Sequence, residues 1–90
     1  MRHIDQQVHR AILGPAPLAP RELDVLELMA DGFTNEAIGS RLFMSVKSVE
    51  SAIRSIFLKL GLIDDGCVNR RVLAVRYFLG AQQAELVGAP

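Results

Sequence analysis

Residues 34–61 read TNEAIGSRLFMSVKSVESAIRSIFLKLG, and the spacing of their apolar residues decides the fold. Val49, Ile53, Ile56 and Leu60 follow one another at steps of four, three and four, which is one stripe of an α-helix. Lys47, Glu50, Ser51 and Arg54 lie on the opposite side at the same helical spacing. Upstream, Thr34 and Ser45 are side chains suited to begin helices, and Leu42-Phe43-Met44 leaves room only for a tight turn. Ile38, Leu42, Met44 and Val49 are expected to point inward. Gly39 is expected where the two helices cross, because a large side chain there would hold them apart. The alternative for such a pattern is a generic helical hairpin, against which the glycine and the cap-to-cap spacing argue. A helix anchored along one side and presenting charge and hydroxyls on the other suits the major groove of DNA.

Composition sets the frame around this stretch. Ninety residues, half of them hydrophobic, make one small core but leave little for a catalytic cleft with its own supporting shell. No apolar run is long enough to cross a membrane and no secretory leader is visible, so no membrane partner and a cytoplasmic location are expected. The single cysteine, Cys67, offers no disulfide framework and reads as an ordinary loop residue. Ten basic and ten acidic residues cancel, whereas DNA-binding domains usually carry a basic surplus. The charge is polarised, however. Residues 45–60 hold three basic residues against Glu50, whereas residues 21–31 hold four acids against Arg21.

Outward from the motif the chain reads as all-α. Ile4, Val8 and Ile12 form a one-residue-wide stripe, a short N-terminal helical segment closed by Gly14-Pro15. His3 and His9 fall on different faces and are a poor metal site. GPAPLAP at 14–20 is a linker, since its prolines exclude regular structure. A helix follows from Pro20 to Asp31, stopped by Gly32, with Glu22 and Asp24 favoured in its first turn but with Ala19 where a capping side chain is wanted. Beyond Gly61, Asp64-Asp65-Gly66 is a solvated turn lacking the oxygen ligands calcium requires, and Asn69 caps a last helix over 70–79, stopped or bent at Gly80. Val72, Leu73, Val75, Tyr77, Phe78 and Leu79 give that helix more apolar surface than one small core covers. A symmetric partner is therefore expected, with cover by the N-terminal helix as the alternative.

These residues also resemble a family. Pro20-Arg21-Glu22, Val25-Leu26, Met29-Ala30-x-Gly32, Thr34-Asn35-x-x-Ile38, Leu42, Ser45-x-Lys47-x-Val49 and Ile56-x-x-Lys59-Leu60-Gly61 are similar to the LuxR/GerE-type helix-turn-helix of LuxR- and NarL/FixJ-like regulators. The likeness runs from Leu18 to Leu79. It implies an all-α, four-helix LuxR/GerE-type helix-turn-helix domain with an additional short N-terminal helical segment. The chain then divides into 1–17 (N-terminal segment and Pro-rich linker), 18–80 (the domain) and 81–90 (a C-terminal tail). With Met1 in place, a short stand-alone regulator is expected. The resemblance implies base contacts from Glu50, Ser51 and Arg54. It places Thr34, Asn35, Ser45, Lys47, Ser48 and Lys59 at phosphates or caps, and a dimer interface at Val72, Leu73, Val75, Arg76 and Leu79. Glu50, Ala52 and Ala19 depart from the family's usual basic residue, histidine and capping threonine. A carboxylate at position 50 accepts from a cytosine amino group but repels phosphate.

The expected partners are double-stranded DNA bearing an inverted repeat, a second copy as homodimer, and another regulator or RNA polymerase. No cofactor and no metal are expected. A helix-turn-helix interaction module with weak DNA affinity is the alternative, motivated by zero net charge and Glu50. The fourth region of a sigma factor shares the motif but not the Lys-Leu-Gly ending or the apolar last helix. An enzyme is not expected, because no titratable pair, phosphate-binding glycine loop or activated nucleophile is present.

Overall fold

The computed structural model describes residues 17–88, with side chains through Gln82. Four helices follow in order, with no strand among the described residues: α1 (Pro20–Ala30), α2 (Asn35–Leu42), α3 (Val46–Lys59) and α4 (Arg70–Gly88). The all-α, four-helix expectation holds. The expected N-terminal segment and most of the linker lie outside the described residues.

The helix starts follow from local chemistry. Thr34 Oγ1 accepts from the Ala37 amide at 3.2 Å and Ser45 Oγ from the Ser48 amide at 3.0 Å, so both expected caps form. Asn69 Oδ1 accepts from the Val72 amide at 3.2 Å at the start of α4. Ala19 offers α1 no such group. Instead Glu22 Oε1 reaches back to the Ala19 amide at 2.8 Å, which is half of a capping box. Gly32 (φ 91°) and Gly61 (φ 72°) close α1 and α3 in left-handed geometry. The end of α2 uses Phe43 in that geometry (φ 56°) although it is not glycine, with a side chain 96% exposed.

Helix α1 packs on all three other helices, and α3 packs on α1, α2 and α4. The core holds Leu18, Val25, Leu26 and Met29 from the α1 region, Ile38 from α2, the four stripe residues Val49, Ile53, Ile56 and Leu60, and Ala74, Phe78 and Ala81 from α4. Burying each large member stabilises by about 1.5–3 kcal/mol, before ordering entropy is set against it. Leu42 and Met44, expected inside, are only partly buried against that cluster.

Two glycines behave differently from one another. A Cβ on Gly39 would lie 2.6 Å from the Met44 carbonyl oxygen, with Val49 behind it. The constraint is therefore the backbone of the turn as much as the facing helix. Gly80 was expected to stop or bend the last helix, and it does not stop it, since α4 runs on to Gly88. The residues expected to form a tail from 81 onward are helical through 88. A mid-helix glycine costs only about 1 kcal/mol. Ala81, fully buried one position later, keeps the helix docked, and alanine, glutamine, glutamate and leucine follow as good helix formers.

Gly39→Ala should therefore destabilise the domain by about 1–3 kcal/mol, as a backbone contact must open. Gly80→Ala, with nothing within 4 Å of the new methyl, should stabilise it by about 0.5–1 kcal/mol. Urea unfolding of both variants measures the contrast, and equal effects would contradict these two environments.

Candidate nucleic-acid interface

Helix α3 has two faces of different chemistry. Val49, Ile53, Ile56 and Leu60 are buried, while Lys47, Glu50, Ser51 and Arg54 all face solvent. From Lys47 to Arg54, α3 thus offers an ammonium, a carboxylate, a hydroxyl and a guanidinium along its solvent-facing side. Ser45 and Ser48 stand at its leading end. Ser45 both accepts from the Ser48 amide and donates its hydroxyl to Ser48 Oγ at 2.9 Å, which leaves the Ser48 proton available for an outside acceptor. Thr34 and Asn35 begin α2 beside this surface. An open cleft between the helices is lined by Asn35, Glu50, Ile53, Phe57, Asn69, Arg70 and Arg71.

The other basic residues near α3 are already engaged. Lys59 Nζ lies 2.9 Å from Glu22 Oε1, so its ammonium ties the end of α3 to the start of α1. Arg70 lies 3.4 Å from Asp64 and stacks over the Phe57 ring at 4.8 Å to its centroid. Arg71 bonds Asn35 Oδ1 and the Phe33 carbonyl, each at 2.9 Å. Arg41 stacks over Phe33 at 3.9 Å. Sequence patterns missed the Glu22 and Arg71 contacts because both join residues more than thirty positions apart. The only available signal was that Glu22 and Lys59 both belong to the family pattern.

Glu22 is the centre of the first contact set. Its carboxylate accepts from the Ser55 hydroxyl at 2.6 Å, the Ala19 amide and Lys59. Burial raises its pKa, but the Ser55 and Ala19 hydrogen bonds and the Lys59 charge together hold it below the ordinary glutamate value.

On α4, Ala74, Phe78 and Ala81 face the core. Of the positions assigned to a dimer, Val72 (53% exposed), Leu79 (49%) and Arg76 face solvent, and Leu73 is half-buried. Val75 is partly buried and packs against the core cluster. Tyr77, 45% exposed, joins Leu73, Arg76, Gly80 and Ala81 around a shallow groove.

The pattern of the family described as GerE, "Bacterial regulatory proteins, luxR family", matches residues 16–76. The chain belongs to this family. Among curated proteins it is similar to the oxygen regulatory protein NreC of Staphylococcus aureus, for example in strains JH9, JH1 and Mu3, at 49% identity over 45 residues. That match covers 50% of this chain and 21% of NreC, so the chain spans far less than the full length of these relatives. No solved structure matches it significantly. The family match makes residues 16–76 a luxR-type helix-turn-helix domain of the kind found in bacterial regulatory proteins. Among the described residues no helix is long and apolar enough to cross a membrane.

The lowered Glu22 pKa has a direct consequence for stability. Its contribution is fully present above the unfolded-state value of about 4.5 and is lost as pH falls through the lower folded-state value. Urea midpoints measured from pH 6 to pH 3 should drop more steeply in the wild type than in Glu22→Gln. Parallel pH profiles would remove Glu22 as the acid-sensitive group.

Proposed function

We propose that this luxR-family protein binds DNA sequence-specifically by laying the exposed stripe of α3 in the major groove. The observation that carries this is the division of α3, whose Val49, Ile53, Ile56 and Leu60 are held in the core while Lys47, Glu50, Ser51 and Arg54 face outward. Arg54 is assigned a guanine, for which a guanidinium is the usual bidentate donor, and Glu50 a cytosine amino group. Ser51 is the third base-facing side chain. Phosphates are assigned to Lys47, Ser48, Asn35 and Thr34, with Ser45 setting the Ser48 hydroxyl. Lys59, engaged by Glu22, enters as the anchor of the reading helix before it enters as a phosphate contact.

The same proposal includes a homodimer through α4, using Val72, Leu73, Val75, Arg76 and Leu79, of which Leu73 and Arg76 line the shallow groove with Tyr77. Two copies related by a two-fold axis would read an inverted repeat with half-sites about one helical turn apart. The working location is then the bacterial cytoplasm, at the nucleoid when bound.

A second reading is favoured by one observation: the formal net charge is zero, so the sequence-independent attraction to DNA is small. In it the domain pairs with another regulator through α4 and binds DNA weakly or not at all. Selection of bound sequences from random DNA, followed by gel shifts at several salt concentrations, separates the two. An interaction module yields no sequence-selective complex even at low salt. In the proposed regulator, Arg54→Ala should weaken operator binding by about 1–3 kcal/mol and relax specificity at one base pair. Lys47→Ala should weaken all sequences alike and reduce the salt slope by about one.

A further inference from the structure

Arg71, in the first turn of α4, reaches across to the start of α2. One guanidinium nitrogen donates to Asn35 Oδ1 and another to the Phe33 carbonyl oxygen, each at 2.9 Å. A guanidinium has donors only, so the Asn35 amide must turn its oxygen toward Arg71 and its NH2 group away. No bond from that NH2 group is recorded among the described residues. Asn35 directly follows the Thr34 cap and lines the cleft whose other wall carries Glu50 of the reading helix. In a helix-turn-helix docked through its second helix, the preceding helix meets the sugar-phosphate backbone. We propose that Arg71 is a positioning residue for DNA binding. By fixing the Asn35 amide, it presents Nδ2–H to a phosphate oxygen at the edge of the groove. This inference rests on the DNA-binding reading above. It adds a residue on α4, outside the helix-turn-helix, that sets the chemistry of a contact made by α2. It also gives Asn35 one permitted orientation out of two.

Binding to a selected operator would be measured for Asn35→Ala, Arg71→Ala, the double variant, Asn35→Asp and Arg71→Lys, with the unfolding midpoint of each. Asn35→Ala should weaken binding about tenfold, the loss of one hydrogen bond to a charged group. Arg71→Ala should do the same, and the double variant should bind no worse than the weaker single one. Arg71→Lys, which keeps a donor toward Asn35, should recover part of the loss. Asn35→Asp should keep its midpoint, because a carboxylate also accepts from Arg71. It should nevertheless lose at least tenfold in binding, having no N–H to offer a phosphate. Losses that multiply to about a hundredfold in the double variant would overturn the proposal. So would wild-type binding by a folded Asn35→Asp or Asn35→Ala protein, which decides the matter even where Arg71→Ala does not fold. If the wild type forms no sequence-selective complex at low salt, the DNA-binding reading fails and the inference falls with it. If the wild type binds but the two residues act independently, only the inference fails.

Discussion

A helix presents one bare side only when its other side is held, and here α1 supplies much of the core that holds α3. The apolar residues Val25, Leu26 and Met29 of α1, Val49, Ile53 and Ile56 of α3 and Leu60 at its end share one core, and α1 also packs on α2 and α4. That shared burial adds to the direct packing of α2 on α3 and to the Met44 amide's hydrogen bond to the Gly39 carbonyl, and together they keep the two halves of the helix-turn-helix in register. The turn between α2 and α3 gains its tightness from the same constraint. Val49 can enter the core beside Ile38 only if the Met44 carbonyl comes close to residue 39, and glycine alone leaves it room.

Polar contacts then fix what hydrophobic packing leaves loose. Packing is non-directional and would tolerate some rotation of α3 about its axis. The Glu22 carboxylate removes that freedom by accepting from Ser55 and Lys59, one turn apart on α3, while also capping its own helix. At the other edge Arg71 ties α4 to the residues that open α2. Both clusters use cations for internal order, with a consequence for DNA binding. Near α3, Lys59, Arg70 and Arg71 all have protein partners, while Lys47 and Arg54 carry no ion pair among the described residues. In the proposed DNA-binding role, a near-neutral domain with two cations that carry no ion pair on the outer face of α3 gains little from bulk attraction, so specific contacts matter more.

Much of this was legible from residue types and spacing. The α3 stripe, the caps at Thr34, Ser45 and Asn69, and the closing glycines at 32 and 61 all follow from interactions within four or five residues of one another. The end of α4 was not legible. Glycine at position 80 is a weak local breaker, and its effect is overridden by Ala81, whose burial against the core no local pattern reveals. Which side of α4 meets the core was not legible for a related reason. On a helix apolar around most of its circumference, periodicity does not say which side meets the core, and small Ala74 and Ala81, flanking Phe78, mark the close approach instead. Of the candidate interface, the outward stripe was visible in advance, but the engagement of Lys59 by Glu22 was not.

Residue types and spacing alone define four helices, where they start and which side of α3 is apolar, because these depend on contacts between near neighbours. Which polar groups stay available depends on the packed fold. Glu22 meets Lys59 across 37 positions and Arg71 meets Asn35 across 36, and each pairing is set by how the helices dock. A charge is free to meet DNA only if the fold has not already given it a partner, and that depends on distance in space, which spacing along the chain does not encode.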